Sequence, residues 1–190
     1  MLRIAILLLA GLLGAAPAWG QLVRQVRAAA DAGDFTRGEQ LIDAHRRANG
    51  VTPEMILALS WLGRAAQAAQ QWERAETYAG ETRQLALEEL KKRPLDADEA
   101  LPLALGASIE VQAHALAARN ARSEALLFLR RELQRWRDTS IRARIQKNIN
   151  LLGLAGKPAL PLEMREHIGA KPLPVSQWRG RPVVLFFWAH

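Results

Sequence analysis

Cysteine is missing from all 190 positions, so the chain forms no disulfide and offers no thiol for redox or metal chemistry. Histidine is scarce. His45, His114, His167 and His190 lie far apart and show none of the short spacings of a zinc site, which leaves them as packed or solvated side chains. Aromatic residues make up only 6% of the chain. Leu and Ala dominate the 49% that is hydrophobic, a composition that favours helices over sheets and allows a sizeable core. On this pattern no residue is assigned to catalysis, to a cofactor or to a metal.

The N-terminus carries an apolar leader. Arg3 supplies a short basic region, Ile4 to Ala16 is a thirteen-residue apolar run, and Ala18-Trp19-Gly20 places small residues at the positions a signal peptidase reads, with Gln21 following. A membrane anchor is the competing reading, but the run is short of the roughly 20 residues that cross a bilayer core. Residues 1–20 are therefore expected to be a cleaved signal peptide and the protein to be exported, periplasmic or otherwise extracytoplasmic. No Cys follows the run, which excludes a lipid-modified N-terminus.

The net charge of +7 is concentrated. From Arg119 to Lys147 there are nine Lys/Arg and three Asp/Glu, a surplus of +6. Nucleic acid is one reading of such a patch. A solvated helix face is the better one, because Leu126, Leu129, Leu133 and Trp136 make a stripe at helical spacing while Arg130, Arg131, Arg135 and Arg137 lie off it. An exported protein is not expected to bind nucleic acid. Attraction to a membrane surface or an acidic partner stays open.

From Gln21 onward the pattern is helical. Leu22, Val26 and Ala28–Ala30 predict a first helix, with a turn at residues 31–34. Thr36 and Glu39 read as a capping box opening the second, which Asn49-Gly50 ends. Thr52-Pro53 starts the third. A turn near Gln70-Gln71 leads to a fourth, running to about Lys92 and closed by Arg93-Pro94. Asp96 and Glu99 open a fifth that reaches about Ala118, Asn120 marks a turn, and a sixth spans about Ser123 to Arg137. Ile141, Ile145, Ile149 and Leu152 form a last amphipathic stripe.

Within this body, Leu62-Gly63 followed by Trp72, Ala75 and Ala79 resembles the tetratricopeptide pattern, in which a large residue and a small one three later lock two helices together. Phe35 and Gly38 repeat the spacing upstream, and Leu105-Gly106 with Ala125 echo it downstream. The offsets are irregular: Phe35 to Trp72 is 37 residues, Ala75 to Ala125 is 50, and the family period is 34. The resemblance implies a degenerate stack of antiparallel helix pairs over residues 21–155 that binds a protein partner, with Trp72 as an aromatic wedge at the loop.

At Gly153 the pattern changes. Residues 156–161 read as a linker, Leu162, Met164 and Ile168 alternate loosely as a short strand would, and Val183 to Trp188 is a continuous apolar, β-prone run of the kind found in central strands. The string Ser176-Gln-Trp-Arg-Gly-Arg-Pro-Val-Val-Leu-Phe-Phe-Trp-Ala-His190 resembles the TlpA/ResA-type branch of the thioredoxin-like superfamily. There, a Gly-Lys-Pro turn and an apolar strand ending in Phe-Trp-Ala deliver a Trp-Cys-x-x-Cys motif to a helix N-terminus. The resemblance implies that residues 156–190 are a linker and the first strands of an α/β thioredoxin-like domain, truncated before its redox motif. Neither cysteine nor the family's later cis-proline is present in this chain, so no catalytic residue is carried over. The fold expected is mainly α with a truncated α/β tail. The function expected is that of a fragment of an exported thiol–disulfide oxidoreductase, inactive by itself. A non-enzymatic helical scaffold and a basic module for anionic surfaces are the alternatives.

Overall fold

The computed structural model describes residues 20–159, 161, 166–184 and 186. Seven α-helices carry the body: α1 (Gln21–Asp31), α2 (Phe35–Asn49), α3 (Pro53–Ala68), α4 (Trp72–Glu89), α5 (Ala100–Ala118), α6 (Arg122–Arg135) and α7 (Arg142–Leu154). Short 3-10 turns lie at Leu95–Ala97 and Val175–Trp178. The protein is mainly helical, and no strand occurs among the described residues.

One turn design, used three times, makes the helices pair. After α1, α3 and α5 a single residue takes positive φ: Gly33 (73°), Gln70 (57°) and Asn120 (63°). The next amide then donates back across the turn: Asp34 N to Ala29 O, Gln71 N to Ala66 O and Ala121 N to Leu116 O, at 2.9–3.0 Å. This closing bond satisfies carbonyls that a helix end leaves free and reverses the chain within three residues. Phe35, Trp72 and Arg122 are thus equivalent first residues of the returning helices. Gly38, Ala75 and Ala125 are equivalent fourth residues, and all three are buried. The irregular offsets of 37 and 50 residues are therefore the true repeat offsets. The longer interval comes from the ten-residue connection from Leu90 to Glu99 that follows α4, against three residues after α2, and from α4 and α5, each three residues longer than α2 and α3.

The caps follow chemistry more than spacing. Thr52 accepts from Met55 N at 3.2 Å with Pro53 in the first turn of α3, as expected. At α2, however, the cap is Asp34, accepting from Arg37 N at 2.9 Å, and Thr36 already lies inside the helix. Gly33 swings Asp34 into place, and a carboxylate caps well. At α5 the cap is Asp98, whose Oδ1 accepts from Ala100 N at 2.6 Å and Leu101 N at 3.1 Å. Asp96 is instead tied to Ser140 ahead of α7, accepting from its hydroxyl and from its amide. Helix α4 ends at Glu89 and α6 at Arg135, two to three residues short of expectation, in hydrogen-bonded turns.

Packing places α5 at the centre, against α3, α4, α6 and α7. Eleven of its nineteen residues are buried. A helix apolar all round belongs in a core. Small residues set the approach of its neighbours. A Cβ on Gly63 would meet Tyr78 Cβ at 3.5 Å and Ala79 N at 3.6 Å, so α3 and α4 touch nearly backbone to backbone, as the Leu62-Gly63 and Ala75/Ala79 pattern implied. Gly106 departs from expectation. The atoms nearest its added Cβ belong to Arg144 of α7 and to Ile141 just ahead of that helix, where Ala125 of α6 was expected.

The aromatic wedge is also placed differently. Trp72 is the first residue of α4, half-buried at the turn end of its hairpin and outside the main buried cluster. Tyr78, two turns further in, takes the role: its ring stacks on Phe35 (6.2 Å, 13°) and its hydroxyl donates to Glu39 at 2.5 Å. Of the expected α6 stripe, Leu129 is buried and Leu126, Leu133 and Trp136 are half-buried, while Arg130, Arg131, Arg135 and Arg137 are exposed. That patch is a solvated face.

The expected signal peptide lies outside the described residues, apart from Gly20. So do Leu162–Arg165 of the first expected strand, and Leu185 and Phe187–His190 of the second. Of the rest, residues 166–168, Val183, Val184 and Phe186 are exposed and not in strand.

Candidate docking site

The body has two layers. The odd helices contact one another in order, α1 to α3, α3 to α5 and α5 to α7. The even helices α2, α4 and α6 have no close backbone approach to one another. Long side chains span them instead: Arg46 to Glu81 and Arg83 to Glu132, each at 2.5 Å. The side of the odd layer turned away from the even helices is its free face.

That face is built around Trp61 of α3. The guanidinium carbons of Arg27 (α1) and Arg64 (α3) lie 4.3 and 4.4 Å from its ring centroid. Such cation–π contacts each contribute about 0.5–1 kcal/mol at partly exposed sites, and they fix where the charges point. Arg64 Nη2 donates to the carbonyl of Leu103 on α5 at 3.3 Å, and Arg144 Nη1 of α7 donates to the same oxygen at 3.4 Å. Arg144 Nε pairs with Glu110 at 2.8 Å, and Lys147 reaches the other oxygen of that carboxylate at 3.4 Å. Beside them His114 Nε2 shares a hydrogen bond with Asn148 Oδ1 at 3.1 Å. Leu103 is half exposed at the centre.

The electrostatics are lopsided. Four cations (Arg27, Arg64, Arg144 and Lys147) face two carboxylates, Asp31 and Glu110. Burial, then the charges of Arg144 and Arg27, push Arg64 down to about 10 against the opposing pull of Glu110. It remains charged at neutral pH. Burial works against the Glu110 carboxylate, but the hydrogen bond and charge of Arg144, with Lys147 beyond, win and hold it below its ordinary value. Arg64 Nε is buried and has no hydrogen-bond partner.

Among the described residues no group of His, Cys, Asp and Glu is placed to hold a metal ion. His45 is hydrogen-bonded to Thr52 at 3.0 Å, His167 is exposed, and His190 lies outside the described residues. The sequence reading reached Arg144 and Lys147 only as part of a basic run, and it did not single out Trp61, Arg64 or Arg27. The Trp61/Arg64 spacing of three is visible in the sequence. Their convergence with Arg27 and Arg144 appears only once the odd helices are stacked. Helix α5 is long and apolar enough to cross a membrane, but it is mostly buried within the body.

No family model matches the chain, and no curated protein and no solved structure is significantly similar to it.

Proposed function

We propose that the chain is the partner-docking helical module of an exported thiol–disulfide oxidoreductase of the TlpA/ResA type, with residues 156–190 leading into its thioredoxin-like domain. The observation that carries the redox half is the string from Gly180 to Ala189, whose Pro-Val-Val-Leu-Phe-Phe-Trp-Ala run resembles the approach to a Trp-Cys-x-x-Cys motif. The Trp61 face supports the docking half: it is aromatic, carries more cations than carboxylates, and leaves Leu103 half exposed at its centre. In that arrangement a cysteine at a helix N-terminus is activated as thiolate, and a second cysteine resolves the mixed disulfide. The 190 residues supply scaffold and docking only. The tetratricopeptide-like character of the hairpins and the leader at residues 1–20 fit an exported adaptor of this kind.

The test is a chain extended through the codons beyond His190. It is expected to reduce insulin disulfides in the presence of dithiothreitol, and to lose that activity when the first added cysteine is replaced by serine. With the second cysteine replaced, clients are trapped as mixed disulfides. A photo-cross-linker at Leu103 is then expected to capture the trapped client, and one at Arg130 is not. A downstream frame without cysteines sinks the redox half. Cross-linking at Arg130 alone sinks the docking half. The lack of any cysteine in these 190 residues favours a second reading, a helical interaction scaffold with no enzymatic role.

A further inference from the structure

Four arginines of the body are half-buried: Arg46, Arg64, Arg83 and Arg144. Three of them hold a carboxylate at 2.5–2.8 Å, namely Glu81, Glu132 and Glu110. Among the described residues Arg64 has none. A partly desolvated guanidinium offers five donors in a fixed fork, and the fork is matched by a carboxylate. What Arg64 has instead is one long bond to the Leu103 carbonyl, a neutral oxygen it shares with Arg144; its buried Nε has no partner, as is also true of Arg46 and Arg83. Two cations converging on one backbone oxygen mark a place where more negative charge is wanted than Glu110, which is paired with Arg144, supplies. Trp61 holds the fork from one side, with Arg27 across the ring.

We infer that this fork takes a carboxylate of an acidic peptide segment, with Arg64 and Arg144 as the paired donors, Trp61 as the brace and Leu103 as the apolar floor. The inference deepens the docking reading above and rests on it. A peptide is the occupant that fits. Arg64 and Arg144 are both half-buried beside Trp61, so the fork is reached by a side chain that inserts between them, as a peptide carboxylate can. The exposed Arg130 and Arg131 of α6 face solvent, and Arg135, which lies 5.0 Å from the Trp136 ring centroid, is exposed as well, so none of the three is a desolvated fork. Glu110 already occupies Arg144 in part, so it acts as an internal competitor whose removal frees a second donor.

The experiment uses the full 190-residue chain and a fluorescein-labelled octaglutamate peptide, read by anisotropy. Octaglutamate is expected to bind about tenfold more tightly than octaglutamine, with an affinity that falls as salt rises. Arg64→Gln is expected to weaken octaglutamate binding at least about fivefold, Arg130→Gln to leave it within about twofold, and Glu110→Gln to tighten it about threefold. Phosphatidylglycerol vesicles serve as the lipid arm. Equal weakening by Arg130→Gln shows attraction to overall charge and overturns the inference, as does vesicle binding that Arg64→Gln abolishes. Where Arg64→Gln lowers the melting temperature, Glu110→Gln decides, and no gain in its affinity overturns the assignment. Failure here with client cross-linking at Leu103 intact leaves a docking face of other chemistry. Success here without that cross-link sinks the docking reading alone.

Discussion

Arg83 on α4 reaches Glu132 on α6 at 2.5 Å across a gap that the two backbones do not close. The Glu132 side chain is 8% exposed, and its other oxygen accepts from Trp136 Nε1 at 2.9 Å. Removing the arginine leaves a buried carboxylate with one donor. Arg83→Ala is therefore expected to cost about 2–3 kcal/mol in urea unfolding, the Trp136 donor softening the usual loss. Replacing both partners, as Arg83→Met with Glu132→Leu, is expected to restore most of it. A single variant within about 0.5 kcal/mol of the parent shows the pair to be ornamental.

Two glycines in helices predict opposite signs. A Cβ on Gly38 would lie 2.6 Å from Leu62 Cδ2, and Leu62 is fully buried with little room to yield. Gly38→Ala is expected to lose about 1–2 kcal/mol, overpacking outweighing the gain in helix propensity. Gly80, inside α4, has nothing within 4 Å of its added Cβ. Gly80→Ala is expected to gain about 0.5–1 kcal/mol. Thermal melts of both variants check the pair, and equal signs contradict it.

Tyr78 is the only tyrosine of the chain, so tyrosinate absorbance reports it alone. Burial, then the hydrogen bond and charge of Glu39, push its phenol well above the ordinary 10.0. Below that value both folded and unfolded states keep the proton. Above it the unfolded state ionises first, so stability falls as pH rises through 10.0 toward the folded-state value. The native protein is expected to titrate late and the urea-unfolded chain normally. Tyr78→Phe should flatten the alkaline fall in melting temperature. A native titration near the ordinary value refutes the buried Tyr78–Glu39 bond.

Leu62 and Trp72 invert the ranking that size alone suggests. Leu62 is fully buried between helices, whereas Trp72 is half-buried at a helix start. Leu62→Ala is expected to cost about 3–5 kcal/mol and Trp72→Ala less than half as much. A larger loss at Trp72 would restore it as the wedge.

Local chemistry was what the sequence showed best. Thr52-Pro53 opened α3 and Asn49-Gly50 closed α2 because a cap and a left-handed residue act within one turn. The offsets Phe35 to Trp72 and Ala75 to Ala125 were legible because the same turn recurs at each. Thr36, Asp96 and Gly106 misled because each has more than one partner within reach. The winner (Asp34 as cap, Ser140 as partner, α7 as neighbour) depends on how the chain is folded back. The Trp61–Arg64–Arg144 convergence spans three helices, and no sequence period encodes it.

Helix α5 has one further consequence, which concerns the order of events in time. Among the described residues it is, by length and hydropathy, the helix that machinery scanning a nascent or threading chain would mistake for a membrane stop. Its α3 and α4 walls both precede it in the chain. Whenever synthesis or passage proceeds from the N-terminus, the α3 and α4 side of the shelter is made before α5 emerges, and α6 and α7 close the rest after it. A circular permutant that begins at α5 would present it before either the α3 or the α4 wall exists.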